Sequence, residues 1–351
     1  MKRLRQLTLV TALMAFVFTA GAQDIHFSQF YLSPLNLNPA MTGVMNCNVR
    51  LTANFRNQWA SVLRSNSFRT YSVSYDQRIP VGRNDFFGIG GTFWGDRAGE
   101  ANFATVTGKL SASYSKKMGG GRNYGHYLVV GAEAGVAQRS LDFLKLRWGL
   151  QHDGNGGFNP DADPNENSFD RTEFLFGDLA GGLLWFMTFD KNNNLYFGAA
   201  FHHLNRADQS FDSSSKDLLY SRLTAHAGGE FMVSNRFGLL PGVIVMNQGP
   251  SFQVNAGTSF KFLLGTGRAL GSQSFQFGLW TRVSNKINTG VLNDAIILSS
   301  RFDFDSFTLG FSYDVNISPL KTASNYNGSF ELALQYKICG PTRRGVYCPS
   351  F

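Results

Sequence analysis

Residues 161–172 carry the oxygen spacing of a calcium loop. Asp161, Asp163 and Asn165 place side-chain oxygens at positions i, i+2 and i+4. A calcium loop also needs glycine at its sixth position and a bidentate acid at its twelfth, and these positions hold Glu166 and Thr172. We therefore predict a solvated acidic loop and no metal site.

A second group, His202 and His203 with Asn205 and Ser210 nearby, has residue types found in hydrolase sites. No Gly-x-Ser-x-Gly elbow accompanies them, and a histidine pair at a strand end is more often a rim feature. The three cysteines lack the close spacing of a zinc site. The basic residues are dispersed, which argues against a nucleic-acid partner. We predict no catalytic residue, no cofactor and no metal.

The first 22 residues have the features of a secretory signal peptide. A basic start is followed by the mostly apolar stretch 7–18, and Ala20-Gly21-Ala22 supplies the small residues of a cleavage site. The apolar stretch is shorter than the roughly 20 residues that a membrane-spanning helix needs. The mature chain is thus expected to begin at Gln23.

Composition favours a membrane β-barrel. The chain of 351 residues has 33 Phe, 12 Tyr and 38 Gly but only 10 Pro, and its mean hydropathy is only −0.15. Barrels combine these properties because every second residue of each strand faces an aqueous or polar interior. The net charge of +8 is a mild basic excess that identifies no partner.

An alternation of apolar and polar residues recurs along the chain, as in Val49 to Trp59, where the apolar residues occupy odd positions. The segments with this pattern number fourteen, and no convincing helical pattern separates them. They are 49–59, 68–79, 85–95, 101–115, 126–140, 174–189, 195–204, 219–233, 237–246, 252–263, 273–284, 292–303, 307–316 and 329–338. We predict an all-β fold, a transmembrane antiparallel β-barrel of about 14 strands that spans residues 46–338.

Connection lengths support this prediction. Connections after even-numbered strands are mainly short, whereas those after odd-numbered strands include the long stretches 142–173, 205–218 and 317–328. Outer-membrane barrels alternate short periplasmic turns with long outer loops, so both chain ends are expected on the periplasmic side. Aromatic residues near strand ends, including Phe86, Trp94 and Trp280, suggest an interfacial girdle and disfavour a secreted β-sandwich or propeller.

Residues 23–45 cannot form one long helix or strand because Pro34 and Pro39 interrupt both. The stretch mixes apolar residues such as Phe27 and Leu35 with polar ones such as Asn38. We interpret it as a plug of the lumen or a cover of its periplasmic mouth. The alternative is a periplasmic docking peptide that becomes ordered only on a partner.

Charged residues of both signs fall on the polar faces of the strands. Such charges can pair in a confined lumen, whereas a selective pore tends to show one sign. We interpret them as a structural network, with a functional conduit as the alternative. The network is predicted to include Arg50, Arg56, Glu230, Arg282, Arg301, Asp314 and Glu331.

Cys47 precedes the first strand, and Cys339 and Cys348 follow the last one. In a closed barrel the first and last strands pair, and an oxidising compartment permits a disulfide there. We predict a bond between Cys47 and one of the two tail cysteines, which lie in a periplasmic tail at 339–351. A bond between Cys339 and Cys348 is the alternative.

Several phrases resemble the PorP/SprF family of outer-membrane proteins of the type IX secretion system. The most specific are the opening FSQFYLSPLNLNPAMTG with FRNQW (27–43 and 55–59) and the closing CPSF (348–351), in which Ser350 replaces the usual basic residue. The resemblance covers essentially the whole mature chain. It implies an outer-membrane barrel without enzymatic activity that helps to secrete, anchor or present surface proteins such as gliding adhesins. Its implied partners are membrane lipid, components of the secretion system and an exported protein.

Loops on a rigid barrel are the expected place for recognition of that exported protein. The candidate contact residues lie in two loops, and they are Asp161, Asp163, Asn165, Phe169, Asn205, Asp208 and Phe211. A different function, a porin-like channel for small solutes with the N-terminal stretch as its gate, is the alternative.

Overall fold

The computed structural model of the chain describes residues 24–82, 84–121, 124–153, 157–163, 170–190, 192–264, 273–286, 290–340 and 348. The predicted signal peptide at 1–22 and most of the predicted tail at 339–351 lie outside the described residues.

Fourteen strands in the described part of the chain form one closed antiparallel barrel, in which each strand pairs with its sequence neighbours and β1 pairs with β14. The fold prediction is confirmed. The strands are β1 (Val49–Gln58), β2 (Phe68–Val81), β3 (Asp85–Ala98), β4 (Phe103–Gly120), β5 (Gly125–Ser140), β6 (Glu173–Thr188), β7 (Asn194–His202), β8 (Arg222–Met232), β9 (Phe237–Gln248), β10 (Ser251–Leu263), β11 (Ser274–Asn285), β12 (Val291–Phe304), β13 (Phe307–Asn316) and β14 (Asn327–Ile338).

The alternation in sequence determines which side of each strand faces inward. In β1 the polar residues at even positions, from Arg50 to Arg56, are buried, while Leu51 is 40% exposed on the outer surface. In β2 the serines and Asp76 are buried, and Val73 is 52% exposed. An apolar outer face and a polar inner face are the arrangement that a lipid environment requires, because lipid offers no hydrogen bonds.

The prediction of an interfacial girdle is wrong for several aromatic residues. Phe86, Trp94 and Trp280 are 0%, 6% and 5% exposed and belong to the inward-facing positions of their strands. Trp280 stacks on Tyr31, with ring centroids 5.6 Å apart. Phe86 and Trp280 belong to one buried cluster with Phe30 and Met41, which precede β1, whereas the aromatic residues of a girdle face outward.

Helical structure is confined to short pieces. The α-helices are α1 (Pro34–Leu37), α2 (Ala60–Leu63) and α3 (Lys321–Ser324), and 3₁₀ turns cover Phe30–Leu32, Pro39–Met41, Arg64–Asn66, Phe143–Lys145 and Gly149–Gln151. Pro34 and Pro39 each occupy the beginning of a turn, where the missing amide hydrogen costs no hydrogen bond. Among the described residues, no helix has both the length and the apolar character needed to cross a membrane.

Candidate functional site: the inner wall and the N-terminal segment

Residues 24–48, called here the N-terminal segment, are mostly buried against the inner wall of the barrel. At its first described residue, the Asp24 carboxylate lies 3.0 Å from Arg222 Nη1 and 2.6 Å from His203 Nε2. The Asp24 amide donates to Gln248 Oε1 at 2.9 Å. Three side chains from two strands and one loop therefore bind this end of the segment.

His203 links the N-terminal segment to the wall. Its Nδ1 lies 2.8 Å from an Asp178 oxygen, and the other Asp178 oxygen lies 2.9 Å from Lys109 Nζ. The burial of His203 lowers its pKa, but the carboxylates of Asp24 and Asp178 outweigh that effect and raise the pKa to about 9. At neutral pH the ring is therefore protonated, and both nitrogens donate to carboxylates.

We expect the stability of the barrel to fall as pH rises through about 9. An unfolded histidine has a pKa near 6.5, so the contribution of His203 is fully present below that pH and is lost above its folded pKa of about 9. The loss amounts to at most about 3 kcal/mol. Urea unfolding in lipid vesicles between pH 6 and pH 10 measures it, and His203→Gln should remove this step. An unchanged pH profile in that variant would contradict the assignment.

Further along the segment, Ser28 binds a pair of carboxylates. Its amide donates to Glu331 at 2.5 Å, and its hydroxyl donates to Asp314 at 2.9 Å. Arg56 forms ion pairs with both carboxylates, the one to Asp314 at 3.2 Å. Arg282 forms a second ion pair with Asp314 at 2.7 Å. All five residues are buried, so each charge has its counterion within the cluster, as burial requires.

Asn38 makes the central contacts of the segment. Its side-chain oxygen accepts from the Ala40 amide at 2.9 Å and so caps the 3₁₀ turn that follows. Its Nδ2 donates to the Leu183 carbonyl at 2.9 Å and lies 3.1 Å from His226 Nε2. One side chain therefore orders the turn and binds it to strands β6 and β8.

Inward-facing glycines allow this close approach. A Cβ atom built on Gly131 would lie 2.4 Å from the Ala40 nitrogen and 2.5 Å from the Pro39 carbonyl carbon. One built on Gly182 would lie 2.0 Å from Asn38 Oδ1. The wall thus lacks side chains at the places where the backbone of the N-terminal segment passes.

We expect Gly131→Ala to destabilise the barrel by about 1–3 kcal/mol, because the new methyl group meets backbone atoms that cannot move independently. The matched control is Gly108→Ala, whose Cβ would have no atom within 4 Å. The midpoint of urea unfolding in lipid vesicles reports the difference. Equal midpoints for the two variants would show that the segment does not contact Gly131 in the membrane.

The last part of the segment binds β1 and β2. The Gly43 amide donates to Asp76 at 2.7 Å, and the same carboxylate accepts from Arg50 at 2.8 and 2.9 Å. Arg50 also donates to the Met41 carbonyl at 3.1 Å. Asp76 was not among the residues predicted for the network, although the period of two in Ser72, Ser74 and Asp76 places it on the inner wall.

The other charged residues predicted for the network also occur in pairs. Glu230 lies 2.6 Å from Lys261, and Arg301 lies 2.9 Å from Asp303. A cavity of about 270 Å³ at the end with the short turns is lined by Arg50, Lys261 and Arg301, among others. Lys337, Asp303 and Asp305 also line it, so four basic and two acidic side chains meet there. The clusters around Asp24 and Ser28 contain charges of both signs.

Cys47 and Cys339 form a disulfide, and Cys348 is a buried free thiol whose amide donates to Asn46 at 2.6 Å. The bond joins residues adjacent to β1 and β14, the pair that closes the barrel. Of the alternatives left open by the sequence, this structure has the bond from Cys47 to the nearer tail cysteine.

We expect Cys339→Ser to lower the free energy of unfolding by about 2–4 kcal/mol in oxidising conditions, because the disulfide restricts the unfolded chain. The variant should also lose the response to reductant that the parent chain shows. Cys348→Ser should retain that response, because its thiol is free. The midpoint of urea unfolding with and without dithiothreitol gives both results, and a response that persists in Cys339→Ser would contradict the pairing.

The predicted contact residues that the structure describes lie at the end of the barrel with the long loops. Asp161, Asp163, Asn205 and Asp208 are exposed, and Phe211 is half-buried. Asn165 and Phe169 lie outside the described residues.

Aromatic packing joins two of these loops. The Phe211 ring packs edge-on against Phe174 and Phe143, with centroids 5.1 and 5.7 Å away. Asp170 accepts a hydrogen bond from the Ser213 amide at 2.9 Å. The β5–β6 and β7–β8 loops therefore form one connected surface.

The described residues of these loops form no recognisable metal centre. Within the described ranges, no three His, Cys, Asp or Glu side chains are grouped so that they could hold a metal ion. Both ring nitrogens of His203 contact carboxylates, which leaves neither nitrogen to accept a proton from a nucleophile.

A closed antiparallel barrel with an apolar outside and a charged, paired inside defines an integral protein of the outer membrane. Residues 19–336 match the family model described as type IX secretion system membrane protein PorP/SprF. The chain belongs to this family, as its opening and closing motifs predicted. None of the curated protein sequences matches the chain.

The chain is similar to several solved structures at low identity. CdiB from Escherichia coli is 8% identical over 82% of this chain and 63% of its own, with a TM-score of 0.44. CdiB from Acinetobacter baumannii is 9% identical over 82% of this chain and 60% of its own, with a TM-score of 0.44. The toluene transporter TbuX from Ralstonia pickettii is 10% identical over 91% and 96% of the two chains, with a TM-score of 0.44. The chain therefore spans less than two thirds of the length of either CdiB chain.

Proposed function

We propose that this barrel is a non-enzymatic component of type IX secretion that holds an exported surface protein, such as a gliding adhesin, or passes it on at the outer membrane. In this proposal the N-terminal segment plugs the lumen, so the protein acts through its loops and ends. Its partners are components of the secretion system and the exported protein, and its outer face contacts lipid.

The observation that carries the proposal is the burial of the N-terminal segment against paired charges. Ser28 contacts Asp314 and Glu331, which also form ion pairs with Arg56 and Arg282. A solute that passed this level would have to separate buried ion pairs, and breaking one such pair costs about 3–5 kcal/mol. Paired, buried charges of this kind favour a structural role for the barrel interior over a pathway for solutes.

The long outer loops are the proposed contact surface. The packing of Phe211 on Phe143 and Phe174 fixes the β7–β8 loop to the β5–β6 loop, while Asp161 and Asp163 remain exposed on the latter. A surface that is rigid at its base and polar at its tip suits recognition of another protein.

Photo-crosslinking in intact cells tests this proposal. A photoreactive amino acid at Asp161 or Asp163 is expected to capture an exported surface protein, identified by mass spectrometry after gentle detergent extraction. The matched control has the same amino acid at Asn235, in the short β8–β9 turn, and should not capture that protein. If the barrel is extracted alone and the outer positions capture nothing, the interaction proposal fails. The porin-like channel then becomes the better hypothesis.

A further inference from the structure

The later part of the N-terminal segment, from Leu32 to Val49, runs along the barrel opposite to β1. The segment joins β1 at Val49, at the end of the barrel that carries the short turns and the last residue of β14. Near that end, Met45 accepts a hydrogen bond from Arg78, close to the end of β2. Farther from that end, the Leu32 carbonyl accepts from Asn54 in the middle of β1 at 3.1 Å.

The first described residue lies at the opposite end of the barrel. Asp24 contacts Arg222, the first residue of β8, and Gln248, the last residue of β9. It also contacts His203, which opens the long β7–β8 loop. All three positions lie at the end with the long loops, which is the extracellular end of an outer-membrane barrel.

The segment is long enough for this path. The ten residues of β1 advance about 24 Å along the barrel axis when a strand rises about 3.3 Å per residue at a tilt of about 45°. The N-terminal segment has more residues than β1, and its helical turns take up only part of them. The segment is therefore long enough to reach from Val49 to the contacts of Asp24. Part of it folds back, because Arg222 donates to the carbonyls of both Ile25, at 3.2 Å, and Asn36, at 3.5 Å.

We propose that the mature amino terminus lies at the extracellular mouth, beside the β7–β8 loop, as part of the face that meets an exported polypeptide. Cleavage after Ala22 would place Gln23 one residue before Asp24. The Asp24 contacts to Arg222, His203 and Gln248 would hold this end in place. The role in contact rests on the proposed function, whereas the location of the terminus does not.

Cysteine labelling on intact cells tests the location. The insertion Gly-Ser-Cys-Ser-Gly between Gln23 and Asp24 leaves the predicted cleavage site unchanged. Ser214→Cys in the exposed β7–β8 loop is the extracellular control, and Asn235→Cys in the β8–β9 turn is the periplasmic control. A membrane-impermeant maleimide is expected to label the insertion and Ser214→Cys in intact cells. It should label Asn235→Cys only after the outer membrane is permeabilised, and the unmodified chain provides the background.

A second measurement avoids the insertion in case it prevents assembly. In Gln23→Ser, whose amino end cannot cyclise, a membrane-impermeant amine reagent near pH 7 reacts preferentially with the α-amino group, whose pKa is about 8 against about 10 for lysine. Mass spectrometry of the first peptide of the mature chain should find the modification in intact cells. Labelling of the terminus only after permeabilisation, in either experiment, would overturn the proposal.

These results separate the two proposals. Surface labelling of the terminus without any partner captured at Asp161 or Asp163 would retain the location and reject the proposed function. If a partner is captured but the terminus is labelled only after permeabilisation, the proposed function is retained and the proposed location is rejected.

Discussion

Deletion of residues 24–41 is expected to turn a barrel that carries no steady current into one that conducts. The deleted stretch includes Ser28, Asn38 and the turn that lies against Gly131 and Gly182. The strands that it contacts keep their own backbone pairing, so the barrel should still close. Single-channel recording in a planar lipid bilayer measures the change between the parent and deleted chains.

The control for this experiment is a chain that lacks residues 157–163 of the outer loop, which should carry no current. Every chain should first be shown to be folded. A folded barrel migrates more slowly in gel electrophoresis after boiling than before it. A large steady conductance of the parent chain would contradict a plugged lumen and favour the porin-like channel. If the deleted chain is folded and carries no current, the N-terminal segment is not what closes the lumen and the channel hypothesis also fails.

Asp314→Asn is expected to be among the most destabilising single changes, with a loss of about 3–5 kcal/mol in the free energy of unfolding. Asp314 forms ion pairs with Arg56 and Arg282 and accepts from Ser28 and Ser329. The asparagine side chain has the same shape but no charge. The buried guanidinium groups of Arg56 and Arg282 therefore lose the negative charge that they share. Urea unfolding of the barrel in lipid vesicles gives the free energy.

Asp85→Asn is the matched control for this change. Asp85 pairs with Lys116 at 2.9 Å, but the Lys116 side chain is 58% exposed, so water and salt screen the pair. This variant should unfold close to the parent chain. Equal losses for the two variants would show that the buried cluster does not hold the N-terminal segment to β13.

The same cluster also predicts a local effect. Because Ser28 contacts both Asp314 and Glu331, Asp314→Asn should loosen the N-terminal segment before the strands separate. Amide hydrogen exchange of residues 24–41 should therefore accelerate more than exchange in β5, which has no contact with Asp314 among the residues described here.

The period of two along the sequence determined most of the barrel. It predicted fourteen strands, and nearly every one of them appears within three residues of its predicted bounds, with β1 beginning at Val49 as expected. It also placed Arg50, Arg56 and Glu331 on the inner face, where they are buried. A period of two is informative because lipid excludes polar side chains from one face of every strand.

Only the tertiary structure decided which inward residues meet. Arg56 and Glu331 are far apart in the chain and become neighbours because β1 pairs with β14 at that register. Register depends on how all strands close the barrel together, and no local pattern encodes it. The girdle prediction considered only that Phe86 lies near a strand end. Its parity, shared with the buried Thr92 and Trp94, places it on the inner face.

The path of the N-terminal segment could not be predicted from the sequence either. Its prolines excluded a long helix or strand, and its mixture of apolar and polar residues was compatible with several positions. Gly131 reads as an ordinary strand glycine until the backbone of Pro39 and Ala40 lies against it. Local sequence determined the faces and ends of the strands because those depend on neighbours in the chain. The charge pairs and the position of the segment depend on contacts between distant residues, which form only when the barrel closes.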